Sequence, residues 1–104
     1  MKIAIASEGK DEKAVSSEVG GRAPYYLIFE EGKLVKTIKN PFAFGGGGAG
    51  FGVAQMLENE GVELVICGKM GENMKGALVN KGIKFKEISR KRIEEILKEL
   101  REEE

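Results

Sequence analysis

Residues 51–88 read FGVAQMLENEGVELVICGKMGENMKGALVNKGIKFKEI, and their pattern decides the fold. Val53, Met56 and Leu57 recur at helical spacing up to Gly61, the residue type favoured just past a helix. The apolar run from Leu64 to Cys67 has the form of a strand buried on both faces. Met70, Met74, Ala77 and Leu78 repeat the helical pattern as far as Gly82, and IKFKEI, residues 83–88, alternates as a strand does. Two successive crossovers of this kind are right-handed and make their strands parallel neighbours.

Upstream, KIAIAS (2–7) is a short apolar run bounded by the polar stretch EGKDEK, as expected of a buried central strand. PYYLIFEE (24–31) and KLVKTIKN (33–40) form a hairpin about Gly32, with alternation at Leu34, Val35, Thr37 and Ile38, and Pro41 closes the second strand. Tyr25 and Tyr26 point to opposite faces, so at most one is expected to face the core. Downstream, Ser89 is placed to cap a last helix whose Ile93, Ile96, Leu97 and Leu100 make one apolar stripe, and the REEE tail is expected to fray. The order β-β-β-α-β-α-β-α predicts an α/β, ribonuclease H-like three-layer domain over residues 1–104. It has three helices and a mixed five-stranded sheet in the order 3-2-1-4-5, with the first three strands antiparallel. A ligand crevice belongs beyond the strand ends at the switch point, rimmed by Ser7, Glu8, Gly68, Lys69 and Met70.

The length suits one domain with one core. Seventeen basic residues balance seventeen acidic ones, so no overall field draws the chain to nucleic acid or to an anionic membrane surface. Asp11 is the only aspartate, lysine outnumbers arginine, and histidine is absent, a composition that leans towards a thermophile. Cys67 is the only cysteine, which excludes an intramolecular disulfide. The apolar run of MKIAIAS is too short for a signal peptide, and no stretch approaches a membrane span. A soluble cytoplasmic protein is the expectation.

Two-metal phosphoryl chemistry needs converging carboxylates, one of them normally on the first strand, and KIAIAS carries none. No histidine base, cysteine–histidine pair or carboxylate cluster points to catalysis, so the chain reads as a non-enzyme. FAFGGGGAG, residues 42–50, can be written G-x-G-x-x-G through Gly45, Gly47 and Gly50, but it follows a hairpin rather than opening a βαβ unit. CGKMGEN lacks the flanking residues of a phosphate-binding P-loop. What survives is a glycine nest at a helix start, whose N–H groups suit an anion, weighed against a simple close-packed loop. Arg22 in GGRAPYY could meet an anion or form a surface ion pair. Cys67 is by default a small core residue, and Met70 and Met74 are by default core packing.

Taken together, KIAIAS, GRAPYY, the NP ending at residues 40–41, GAG at 48–50, GVELVICGKMGENM and the later GIK resemble the dinitrogenase iron-molybdenum cofactor biosynthesis and binding family, over most of the chain. The resemblance implies a non-enzymatic binding or carrier protein related to iron-molybdenum or iron–sulfur cofactor assembly, with cofactor-assembly proteins as partners. Family members often carry a histidine before the glycine–arginine pair and another beside GAG. Those places are held here by Glu18 to Gly20 and by glycines 45–48. The cofactor-binding residues carried over are Arg22, Gly47, Gly48, Gly50, Cys67, Lys69 and Gly71, with Cys67 as the metal ligand. Two alternatives stand beside this expectation: a cluster-free interaction or regulatory module of the same fold, and a small anion or nucleotide binder.

Overall fold

The computed structural model describes residues 1–44, 48–88 and 90–103. Its elements are β1 (Lys2–Ser7), β2 (Tyr25–Glu30), β3 (Lys33–Lys39), α1 (Ala49–Asn59), β4 (Leu64–Cys67), α2 (Glu72–Asn80), β5 (Lys84–Glu87) and α3 (Ile93–Glu103). The sheet runs β3-β2-β1-β4-β5, as the crossover argument predicts. β1 pairs antiparallel with β2 and parallel with β4, and β4 pairs parallel with β5.

Strand alternation sorts side chains into two cores. Ala4, Ala6, Tyr26, Ile28, Val65 and Cys67 face one side, where Val53, Ala54 and Leu57 of α1 and Met74, Ala77 and Leu78 of α2 cover them. Ile5, Leu27, Phe29 and Ile66 face the other side, closed by Ile93 and Ile96 of α3. The layer carrying two helices meets alanines at the middle of β1, which leaves room for both. Because helices cover both faces, each tyrosine finds a core. Tyr26 is fully buried under α1 and α2, while Tyr25 packs half-buried beside the α3 layer. The expectation that at most one faces a core fails for that reason.

Several local expectations change. Leu34 and Ile38 share parity, yet they join opposite cores. The register shifts between Ile28 and Phe29, which pair with Lys36 and Leu34, so Val35 is an extra residue in a bulge that flips the phase. Met70 precedes α2 rather than belonging to it, because the helix starts at Glu72 after Gly71. α3 runs through Glu103, and Glu104, the end of the REEE tail, lies outside the described residues. Ser89, expected as a cap, lies outside the described residues. Gly61 and Gly82 follow α1 and α2 at φ of 77° and 72°, as expected of residues that end helices.

The largest difference concerns the switch point. Residues 15–20 cross over the carboxyl ends of β1 and β4: Ser17 N–H donates to the Ala6 carbonyl (2.8 Å), Gly68 N–H to Ser17 (2.9 Å) and Lys69 N–H to Glu18 (2.6 Å). Ser7 is consequently buried, with Oγ donating to the Gly9 carbonyl. Ser7 and Glu8 therefore do not rim a crevice. Gly68 is what lets the two backbones touch, since a Cβ there would stand 2.6 Å from the Glu18 carbonyl oxygen. Gly68→Ala is expected to lower the unfolding free energy by about 2–3 kcal/mol. Gly76→Ala, in open space on α2, should raise it by about 0.5–1 kcal/mol through the unfolded chain. Urea denaturation followed by circular dichroism measures both, and a Gly68→Ala protein as stable as its parent would contradict the close crossing.

Candidate functional site

With the strand ends covered, the opening moves sideways. A cleft of about 550 Å³ lies between the turn at residues 19–22, the start of α1 and the segment Lys69–Met74. Its walls include Arg22, Gly50, Lys69 and Gly71, four of the seven residues carried over from the sequence. Gly48 sits one residue outside, as the N-cap of α1 at φ 87°, a left-handed conformation that glycine adopts without steric cost. Gly47 lies outside the described residues.

Both α1 and α2 begin at this cleft, and neither has a side chain capping its first turn. Each helix start carries roughly half a positive charge from its aligned peptide dipoles. The two starts come together because Gly50 rests on the backbone of Met74, where an added Cβ would stand 3.0 Å from the Met74 nitrogen. Lys69 adds an exposed ammonium and Arg22 a guanidinium to the same wall, against one lining carboxylate, that of Glu72. Like charges gathered in one concavity repel, and an anion placed there relieves that repulsion.

The turn carrying Arg22 is held from beneath. The buried Tyr26 hydroxyl donates to the Gly20 carbonyl (2.6 Å), and Gly20 N–H donates to Lys69 (3.0 Å). Burial keeps the Tyr26 phenol protonated well above its ordinary range. Outside the lining, Glu87 at the end of β5 accepts from Met70 N–H (3.0 Å) and pairs with Lys75 (3.2 Å). These contacts, the Met70 N–H first, hold the Glu87 carboxyl below its ordinary value. Tyr26, Asn40 and Glu87 are the supporting residues that sequence reasoning missed as such. The only available signals were the YY and NP dipeptides, which report a strand entry and a strand end.

Cys67 is set apart from its companions. Its thiol is fully buried at the end of β4. Gly20 stands over it: a Cβ on Gly20 would meet Cys67 Sγ at 3.0 Å and Met74 Sδ at 2.9 Å. Burial first, then the nearby Glu87 charge, pushes the thiol up to about 12, with Lys75 opposing. A protonated thiol behind a turn is a poor metal ligand. Among the described residues no group of three or more His, Cys, Asp or Glu side chains is arranged to hold a metal ion.

A family model described as dinitrogenase iron-molybdenum cofactor matches residues 1–103. Among solved structures, a NifB-like protein from Thermotoga of the DUF35 family is 29% identical, with a TM-score of 0.83 over 97% of this chain and 87% of that one. The apo form of the orange protein from Desulfovibrio gigas is 21% identical, with a TM-score of 0.90 over 98% and 88%. A dinitrogenase-like protein from Methanocaldococcus jannaschii is 17% identical, with a TM-score of 0.70 over 99% and 89%. The last two likenesses establish the fold. No protein with a curated description matches the chain. Among the described residues, no helix is long and apolar enough to cross a membrane.

Two titrations check this arrangement. Native protein at pH 8 should react slowly with Ellman's reagent and quickly in denaturant, since only the unfolded thiol approaches its ordinary value near 9.0. The Glu87 value is lowered by folding, so its contribution is complete above the ordinary 4.5 and is lost as pH falls through the lower folded value. Denaturation midpoints of parent and Glu87→Gln should therefore differ at pH 7 and converge in acid. A constant difference across that range would remove the assigned role.

Proposed function

The chain belongs to the dinitrogenase iron-molybdenum cofactor family, and on that premise we propose that it is a non-enzymatic carrier. Its cargo is an anionic metal–sulfur cluster of iron-molybdenum or iron–sulfur cofactor assembly, held in the cleft between the 19–22 turn and the starts of α1 and α2. One observation carries the reading: two uncapped helix starts, Lys69 and Arg22 converge on one concavity.

The residues fit such a cargo through hydrogen bonds and charge rather than through ligation. Peptide N–H groups of the two first turns suit sulfide or oxo edges of a cluster, and the flanking cations balance its charge. Cys67 stays behind Gly20 and takes no part in this arrangement. A cluster held without protein ligands exchanges readily, which suits transfer between assembly proteins. The lack of histidine and the sequestered thiol favour one second reading, an interaction module of the same fold that binds no cluster.

Anaerobic titration of metal-free protein with isolated iron-molybdenum cofactor and with a simple iron–sulfur source, followed by visible absorption and gel filtration, decides between them. Metal should co-elute with the parent and with Cys67→Ser. Lys69→Glu and Gly71→Leu should each reduce uptake about tenfold or more while leaving stability near the parent's. Lys69 is exposed, and Gly71 has an ordinary φ of −73° with open space at its Cβ position. Uptake that depends on Cys67 and ignores both cleft substitutions would overturn the cleft as the site. Absence of co-elution with either source would select the interaction module.

A further inference from the structure

We infer that Asn40 is the positioning residue of this cleft, setting the turn that presents Arg22 and tying that turn to the chain entering α1. The inference rests on the cleft being the cargo site. Asn40 directly follows β3 and is buried, where an amide is tolerated only with its hydrogen bonds made. Its side chain makes three. Nδ2 donates to the Gly21 carbonyl at 3.0 Å and to the Ala23 carbonyl at 2.8 Å, the two carbonyls that bracket Arg22. Oδ1 accepts from Phe42 N–H at 3.0 Å. The Asn40 backbone N–H adds a bond to the Pro24 carbonyl at 2.9 Å.

These bonds have a direction. Ala23 N–H closes the Gly20–Ala23 turn on the Gly20 carbonyl, so both amide hydrogens of Asn40 grip the turn whose corner is Arg22. The acceptor oxygen meanwhile fixes Phe42. The Phe42 ring packs against α1 at Gly52, where a Cβ would meet ring carbon Cε1 at 2.4 Å. One side chain thus holds the guanidinium wall in register with the helix start opposite, across the cleft. No shorter residue reaches all three groups, and no carboxylate donates to two carbonyls.

A double-substitution cycle separates positioning from general support of the fold. Uptake of isolated iron-molybdenum cofactor is titrated for the parent, Arg22→Ala, Asn40→Ala and the double variant, with thermal midpoints recorded for each. Asn40→Ala should weaken uptake about tenfold in the parent and less than about twofold when Arg22 is already alanine. Equal weakening in both backgrounds, or none in either, overturns the inference while leaving the cleft reading intact. An Arg22→Ala protein that takes up cofactor like the parent overturns both the charge reading and the role of Asn40. Where Asn40→Ala does not fold, Asn40→Asp serves in the same cycle. It keeps the acceptor for Phe42 N–H and sets a carboxylate against the Gly21 and Ala23 carbonyls, so the same coupling to Arg22 is expected.

Discussion

The contact on which the rest depends is the crossing of residues 17–18 over Gly68. Three backbone hydrogen bonds, Ser17 to Ala6, Gly68 to Ser17 and Lys69 to Glu18, close the carboxyl ends of the central strands with main chain. An open α/β sheet ordinarily offers that edge to ligands. Here it is occupied, and the space left to a ligand lies beside it, where the same crossing strand delivers the Gly20–Ala23 turn. Gly68 has no side chain, and that is the condition for the whole displacement.

The second constraint is the packing of α1 on α2 at Gly50. Parallel helices that start at one level place their positive ends side by side, which costs electrostatic energy unless water or an anion answers it. Gly50 against Met74 brings the ends close. Most proteins relieve such ends with a capping serine, threonine or aspartate, and neither helix has one. Two first turns without side-chain caps beside Arg22 and Lys69 forgo the stability that such caps supply. That arrangement is typical of a site rather than of a surface optimised for folding.

Cys67 is buried outside the cleft, whereas Met70 and Met74, buried as well, form part of its lining beside the exposed Arg22 and Lys69. The cleft presents peptide and cationic groups, and among the described residues no cluster of metal-ligating side chains. The supporting contacts from Tyr26, Asn40 and Glu87 then matter more than usual, because a site without coordinate bonds depends on how well its donors are held in place.

Strand order, helix count and the two-sided burial of β1 and β4 were legible in the sequence, because they follow from periodicities of two and 3.6 residues and from the handedness of crossovers. Arg22, Gly50, Lys69 and Gly71 were grouped through motif resemblance, and the structure places all four in the lining of one cleft. The bulge at Val35 was not, since an inserted residue leaves no mark on composition and shows only against its partner strand. The exclusion of Ser7 from the crevice and of Cys67 from the cleft was not legible either. Both depend on a loop, residues 8–24, whose path is set by backbone bonds to residues distant in sequence. Local pattern determines which segments become strands and helices. Tertiary structure decides which of their ends stay open, because a main-chain hydrogen bond carries no side-chain signature.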